Sequence, residues 1–437
     1  MLLLFLLFSC KHRSVEELPA ESVPRPALWG DISLAGQALV GPAGSQAGGS
    51  VAGVGDINGD GYADVLIGAD ELGVAYLLSG TQSPGPLVPV ATLTGPTGAG
   101  RSVAGVGDID GDGYADVLIG GGSTAGDAWL AYGPLTGTVT LLDGWTGSSG
   151  DGSGFTVAGP GDLTGDGHGD LLIAAPRSSQ GAGTIWLLPA NAEPGSFTEA
   201  AVATLTGAAP RGFAGYAMDS AGDVDGDGHR DLIVGAWGAA GFTGEAAIVL
   251  GPITADASLA DADLRLAGVT AWDLAGFSVS GAGDVTGDGR DDVIVGAYGV
   301  DGADYSVGAA YVIAGGISRG RTLDAAVARL MGETGGDNTG WSVSGAGDVN
   351  DDGVPDLLVG ATGLDAGVGE GGGGWLFYGP VTGSMSVRDA GVRILGEHHN
   401  SGTGHALDGA GDIDGDGMAD ILIGAPGAAS AYLITQP

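Results

Sequence analysis

A nine-residue acidic phrase written seven times constrains this chain more than any other feature. Its copies begin at Asp56, Asp108, Asp162, Asp223, Asp284, Asp348 and Asp412, so neighbours stand 52, 54, 61, 61, 64 and 64 residues apart. A period of that size is one supersecondary unit, which buries its apolar faces only by stacking against its neighbours. Each copy keeps one internal order. A stretch of small and apolar residues such as "GRSVAGV" (100–106) precedes the phrase, and a β-branched run such as "DVLIG" (116–120) follows it. An aromatic-bearing run such as "GTIWLLPA" (183–190) comes next, and one such as "VATLTG" (90–95 and 202–207) closes the unit. These read as four strands, A to D, joined by glycine-rich turns, with nothing of helical period among them. The expected fold is therefore all-β: a seven-bladed β-propeller of four-stranded antiparallel blades over residues 32–437. The seventh unit runs to its strand C in "SAYLITQP" (430–437), while "SLAGQALVG" (33–41) precedes the first strand A where a strand D belongs. The N-terminal strand is expected to close the last blade, leaving no edge bare.

The phrase reads Asp-x-(Asp/Asn/Thr)-Gly-Asp-Gly-x-x-Asp. Side-chain oxygens at positions 1, 3, 5 and 9, with the backbone carbonyl of position 7, can converge on one hard cation because the glycines permit a tight curl. The candidate ligands are Asp56, Asn58, Asp60, Tyr62 and Asp64 in the first loop, and Asp108, Asp110, Asp112, Tyr114 and Asp116 in the second. The third offers Asp162, Thr164, Asp166, His168 and Asp170; the fourth Asp223, Asp225, Asp227, His229 and Asp231. The fifth offers Asp284, Thr286, Asp288, Arg290 and Asp292; the sixth Asp348, Asn350, Asp352, Val354 and Asp356; the seventh Asp412, Asp414, Asp416, Met418 and Asp420. The loops hold 26 of the 53 acidic residues, a density that repels itself without a counter-ion. Up to seven Ca²⁺ are expected, with affinities of about 10⁻⁴ to 10⁻³ M, as in extracellular modules. Strands flank the loop and no Glu stands at position 12, which separates it from an EF-hand. Thr164, Thr286 and the position-4 Asp351 mark the copies expected to bind differently.

The formal charge of −39, from 14 basic against 53 acidic residues, excludes nucleic acid as a partner, because a phosphate backbone needs a basic surface. The single cysteine, Cys10, excludes internal disulfides and cysteine-based zinc sites. It follows the apolar run "LLLFLLF" (2–8), and Leu7, Phe8, Ser9 and Cys10 resemble a bacterial lipoprotein signal with lipidation at Cys10, although Phe8 stands where a small residue is usual. Residues 1–10 are thus expected to be a signal segment and 11–31 a Pro- and Glu-bearing tether. Membrane contact would come only through that anchor, on an exported, surface-held monomer.

The units resemble FG-GAP repeats, the blades of the integrin α-subunit propeller. Gly-Ala-Pro stands at 424–426 and Ala-Ala-Pro at 174–176, while Gly154-Phe155, Gly215-Tyr216, Gly276-Phe277 and Gly340-Trp341 keep an aromatic beside glycine ahead of strand A. The resemblance implies calcium in the A–B loops and partner contact on the opposite face, formed by the B–C and D–A turns. That face is expected to gather Trp145, Trp237, Phe242, Trp272, Tyr298, Tyr305, His398 and His399 as contacts for an extracellular protein or glycan. The chain carries no His-Glu-x-x-His, Gly-x-Ser-x-Gly or cysteine nucleophile, so a binding or adhesion module is favoured over an enzyme. The alternative is a carbohydrate-active protein, a lectin or a lyase or hydrolase, on the same scaffold.

Overall fold

The computed structural model describes residues 32–33, 38–81, 87–122, 126–148, 150–302, 305–316, 321–365 and 371–435. Cys10, the signal segment and the tether lie outside them. The chain forms seven sheets, one per acidic phrase, and each runs A-B-C-D in antiparallel order. Strand B begins at the last aspartate of every phrase, as in Asp64–Ala69, Asp116–Gly120 and Asp231–Ala236, and is buried along its whole length. Its β-branched and leucine residues have no polar face because both sides of a central blade strand are covered by neighbouring blades. The apolar cores accordingly lie between blades. Seven clusters each join two successive units, and the last unites Leu422 and Leu433 of blade 7 with Val65 and Ile67 of blade 1.

The ring closes as expected. Ala38–Val40 pairs antiparallel with Ser430–Ile434, supplying strand D to the blade of the seventh phrase. The blades are richer than four strands, however. Five gain a fifth, parallel strand on the outer edge: Gly137–Thr140 beside Ala91–Thr94, Ala257–Ser258 beside Ala203–Thr206, Arg321–Thr322 beside Leu264–Ala267, Gly383–Ser386 beside Ala328–Met331, and Ile32–Ser33 beside Val392–Leu395. Each strap is the segment leading into strand D of the following blade, so the chain binds one blade's edge on its way to completing the next. That covers five of the seven outer edges.

The A strands line the axis. The glycine ahead of each one turns the chain inward through positive φ, +85° at Gly100 and +75° at Gly154, and at Gly100 a Cβ would meet Val74 O at 2.3 Å. Polar side chains on these strands stitch neighbouring blades around the shaft: Ser50 Oγ donates to Gly100 O at 2.9 Å, Thr156 Oγ1 to Tyr216 O at 2.8 Å, and Ser342 Oγ to Gly404 O at 2.7 Å. Deeper in the shaft, the Asp219 carboxylate accepts from Ser280 Oγ at 2.8 Å. Asp408 accepts from Gly53 N at 2.9 Å and Ser344 Oγ at 3.2 Å, so one carboxylate holds blades 6, 7 and 1 together at the closing seam.

Burial pushes the Asp408 carboxyl up to about 7, and the Asp219 carboxylate adds to this against the donors that pull it down. A carboxyl whose folded pKa lies above its unfolded value of about 4 contributes stability that is complete below pH 4 and is lost as pH rises to 7. The midpoint difference between the parent and Asp408→Asn, taken in one buffer series so that other titrations cancel, should therefore favour the parent more at pH 5 than at pH 8. Thermal unfolding at the two values measures it, and a difference independent of pH would remove Asp408 from the account.

Candidate functional site

Each acidic loop is organised by its first and last aspartates. Asp56 Oδ1 accepts from Gly59 N at 2.6 Å and Asp60 N at 3.1 Å, and its Oδ2 accepts from Gly61 N at 2.8 Å. The loop curls around the carboxylate because Gly59 and Gly61 adopt φ of +78° and +91°. In the sixth loop Asp351 takes the same left-handed turn at φ +55°, so the departure from glycine leaves the curl in place. The last aspartate is the structural pin. Asp64 Oδ2 accepts from Ile57 N at 3.0 Å and Oδ1 from Gly80 N at 2.9 Å, tying the loop to the end of strand C.

All seven of these last aspartates, Asp64, Asp116, Asp170, Asp231, Asp292, Asp356 and Asp420, are fully buried. Burial pushes Asp64, Asp170 and Asp231 up to about 6 and Asp356 and Asp420 up to about 7, opposed by the N–H donors and reinforced by neighbouring loop carboxylates. The structure brings positions 1, 3 and 9 together: Asp108, Asp110 and Asp116; Asp223, Asp225 and Asp231; and Asp412, Asp414 and Asp420 each place ligand atoms within 4.8 Å of one another. Position 3 is a carboxylate in these three loops. It is Asn in the first and sixth and Thr in the third and fifth, where Thr164 Oγ1 instead reaches Asp170 Oδ1 at 3.4 Å. Position 5 stands apart from these clusters and accepts from the position-7 amide, as Asp112 does from Tyr114 N at 3.0 Å. In the seventh loop Asp420 Oδ2 accepts from Ile413 N at 2.8 Å; the position that caps the other oxygen in five blades, two places beyond strand C, is here Gln436, outside the described residues. An all-oxygen donor set with three converging carboxylates, as in the second, fourth and seventh loops, fits a hard divalent cation.

The opposite face bears a crater over the shaft, of which four positions stand out in the sequence as Gly-aromatic pairs and three do not. The residues following the inward-turning glycines, Gly49, Arg101, Phe155, Tyr216, Phe277, Trp341 and His405, stand seven places ahead of each phrase and converge on a cavity of about 350 Å³. Phe155 and Tyr216 pack at 5.0 Å between ring centroids, Tyr216 and Phe277 at 4.9 Å, Phe277 and Trp341 at 4.9 Å, and Trp341 and His405 at 5.8 Å. The Arg101 guanidinium lies 4.4 Å over the Phe155 ring and pairs with Asp70 at 3.7 Å. Burial, then the Arg101 charge, holds the His405 imidazole below the usual histidine range, which leaves it neutral at pH 7. Register was the available signal, since these seven positions keep the spacing of the phrase itself.

Of the residues expected on this face, Trp237 and Tyr298 extend the ring of rings. Tyr298 packs on Phe277 at 4.6 Å and on Trp341 at 4.9 Å, and Trp237 meets Tyr216 edge-on at 5.8 Å. Beyond Trp237, Phe242 and Trp272 stack at 4.7 Å with planes 5° apart, and Trp272 is 63% exposed. Phe242 and Trp272 hold φ of +71° and +75°, a strained backbone for bulky side chains. Tyr305, His398 and His399 are exposed and are not among the residues lining the crater. Trp145 must be taken off this surface. It is 1% exposed, because it occupies the strand D position of a core leucine, and its indole N–H donates to Glu193 O at 2.8 Å.

Three comparisons bear on this architecture. The FG-GAP-like repeat model matches residues 56–119, 108–173 and 162–234, and the FG-GAP repeat model matches 403–434. Integrin alpha-PS5 of Drosophila melanogaster is 38% identical over 36% of this chain, and Integrin alpha-V of Gallus gallus is 29% identical over 49% of it. The chain spans only 15% and 20% of the length of these curated relatives. A solved structure of BBS1N in complex with ARL6DN aligns over 87% of this chain and 90% of its own at 10% identity, with a TM-score of 0.49, a likeness too distant to argue from. With its seven closed blades, the chain is an integrin α-like FG-GAP repeat propeller.

The second, fourth and seventh loops, with three converging carboxylates each, should bind calcium more tightly than the third and fifth. Replacing Asp420 by Asn should weaken one site by about an order of magnitude, because affinity follows ligand charge. Calorimetric calcium titration of parent and variant would show one tight step lost; an unchanged titration would mean the seventh loop takes no ion.

Proposed function

We propose that this protein is a calcium-stabilised, surface-tethered propeller that binds an extracellular protein partner in an adhesive role. The observation that carries this reading is the crater: in-register positions from successive blades deliver four aromatic rings, an arginine and a neutral histidine to one cavity of about 350 Å³. Concave, partly apolar surfaces ringed by polar groups are where partners bury anchor side chains. The likeness to integrin α chains supports an extracellular protein as the partner class.

Calcium has a structural part in this reading. Each filled loop neutralises a carboxylate that the fold buries, and at free calcium tenfold above its dissociation constant contributes about 1.4 kcal/mol to stability. The anchor at Cys10 would hold the propeller at a surface with the tether as spacer. Among the described residues no helix is long and apolar enough to cross a membrane.

The experiment is attachment of cells or matrix to the immobilised protein at about millimolar calcium. Attachment should fall at least about tenfold in Trp341→Ala, should be lost with chelator, and should be abolished when surface proteins of the target are removed by protease. Attachment that survives protease and is lost after periodate treatment would replace the protein partner by a glycan, for which the flat Phe242–Trp272 stack is the natural platform. Separately, Cys10→Ser should move the protein from the membrane fraction to the medium; retention in membranes would remove the lipid anchor from the proposal.

A further inference from the structure

Among the described residues, blades 2 and 7 lack an outer strap, and blade 2 alone also has a strand D cut to two residues. Its strand D is only Trp145–Thr146, pairing with Ala128 and Asp127 of strand C, and Trp129, Leu130 and Ala131 have no strand D partner. The sequence gives the cause. Asp143 and Gly144 stand where strand D of blade 1 has Ala91 and Thr92, and an Asp-Gly pair disfavours a strand. Residues 137–140 stay instead with blade 1, and Leu141 N continues that pairing by donating to Thr94 O at 2.8 Å.

The gap has a definite chemical vacancy. In blades 1, 3, 5 and 6 the carbonyl equivalent to that of Leu130 accepts a backbone N–H from the residue leading into strand D: Leu77 O from Val90 N, Leu187 O from Val202 N, Val312 O from Val327 N, and Leu376 O from Gly391 N, at 2.8 to 2.9 Å. Among the described residues, no backbone N–H reaches Leu130 O. Beside it lies a groove of about 410 Å³, walled by Trp129, Leu135, Val139, Leu141 and Trp145. Leu142, 79% exposed, and Tyr132, 47% exposed, stand at its rim.

The rim is acidic. Asp143 is exposed at the groove. Glu193, also exposed, lies between Ala192 and Pro194, both of which line the groove. No Lys or Arg is among the residues lining the groove. We propose that this edge is a docking site for an extended segment of a partner protein, which adds as a strand against Leu130, sets apolar side chains into the groove and presents Lys or Arg to the acidic rim. Main-chain bonds would supply the register and alternate side chains the selectivity, as in other cases of strand addition. The site is separate from the crater and needs neither the aromatic ring nor the calcium loops.

The test uses the full chain and a capped heptapeptide alternating valine with lysine, with two controls: its glutamate counterpart, and the lysine peptide N-methylated at alternate residues. The lysine peptide should bind saturably and slow exchange of the edge-facing Leu130 amide. The glutamate and N-methylated peptides should bind at least tenfold more weakly, and Asp143→Lys should shift preference towards glutamate. Equal binding of the N-methylated peptide, or indifference to Asp143→Lys, would overturn strand addition at this edge. Exchange of the edge-facing Leu130 amide already slow in the free chain would overturn it too, since the groove would then be filled by this chain's own segment or by a second copy.

Discussion

The structure depends on one carboxylate per blade. The last aspartate of each phrase begins strand B, is fully buried, and accepts an amide from the A–B loop; in five blades it also accepts one from just beyond strand C. It fixes the corner where three strands meet, and the blade's apolar residues can then face the neighbouring blades on both sides. The fold puts these groups where burial works against their charge, pushing Asp64 up to about 6 and Asp356 and Asp420 up to about 7. One or two backbone donors per carboxylate offset only part of this shift. A divalent cation would add to this, and in the second, fourth and seventh loops the first and third positions converge with the last where one could sit. About half of the chain's acidity, 26 of 53 acidic residues, is therefore concentrated at seven corners where a bound cation would offset the repulsion.

Much of this was legible in the sequence because it repeats. One copy of the phrase is ambiguous between a turn and a metal loop, while seven copies in one register, each followed by a β-branched run, leave one all-β answer. The closing strand was legible for a related reason: the strand missing from the seventh unit stands ahead of the first. The straps were not, because Ala257–Ser258 or Arg321–Thr322 is too short to show a period, and its pairing is set by where the previous blade's edge lies. Trp145 was misplaced for the same reason. A tryptophan beside Asp-Gly reads as a turn residue, yet tertiary packing draws it into the leucine slot between blades 2 and 3. The crater residues were partly visible as Gly-aromatic pairs, but the pairs look broken where arginine, histidine and glycine substitute, and only the ring geometry shows that these occupy equivalent seats.

Those substitutions are not scattered around the ring. The B–C turns are short in blades 1 and 7, residues 70–73 and 426–429, and long in blades 5 and 6, residues 298–308 and 362–372. The wall of the crater is consequently uneven. On its long-turn side stand Phe277, Trp341 and Tyr298, with Tyr216, Trp237 and the exposed Phe242–Trp272 stack continuing through blade 4. On its short-turn side stand Gly49 and Arg101, flanked by Gln46, Asp70 and Glu71. A seven-fold arrangement has thus been made directional, with an apolar wall facing a low, charged lip. A symmetric ring could seat one side chain but could not orient what carries it. An apolar wall opposite charged groups gives a bound segment a preferred direction, because reversing it would set its polar side against aromatic rings and its apolar side against a salt bridge. The repeat builds the platform, and the departures from the repeat give it a front and a back.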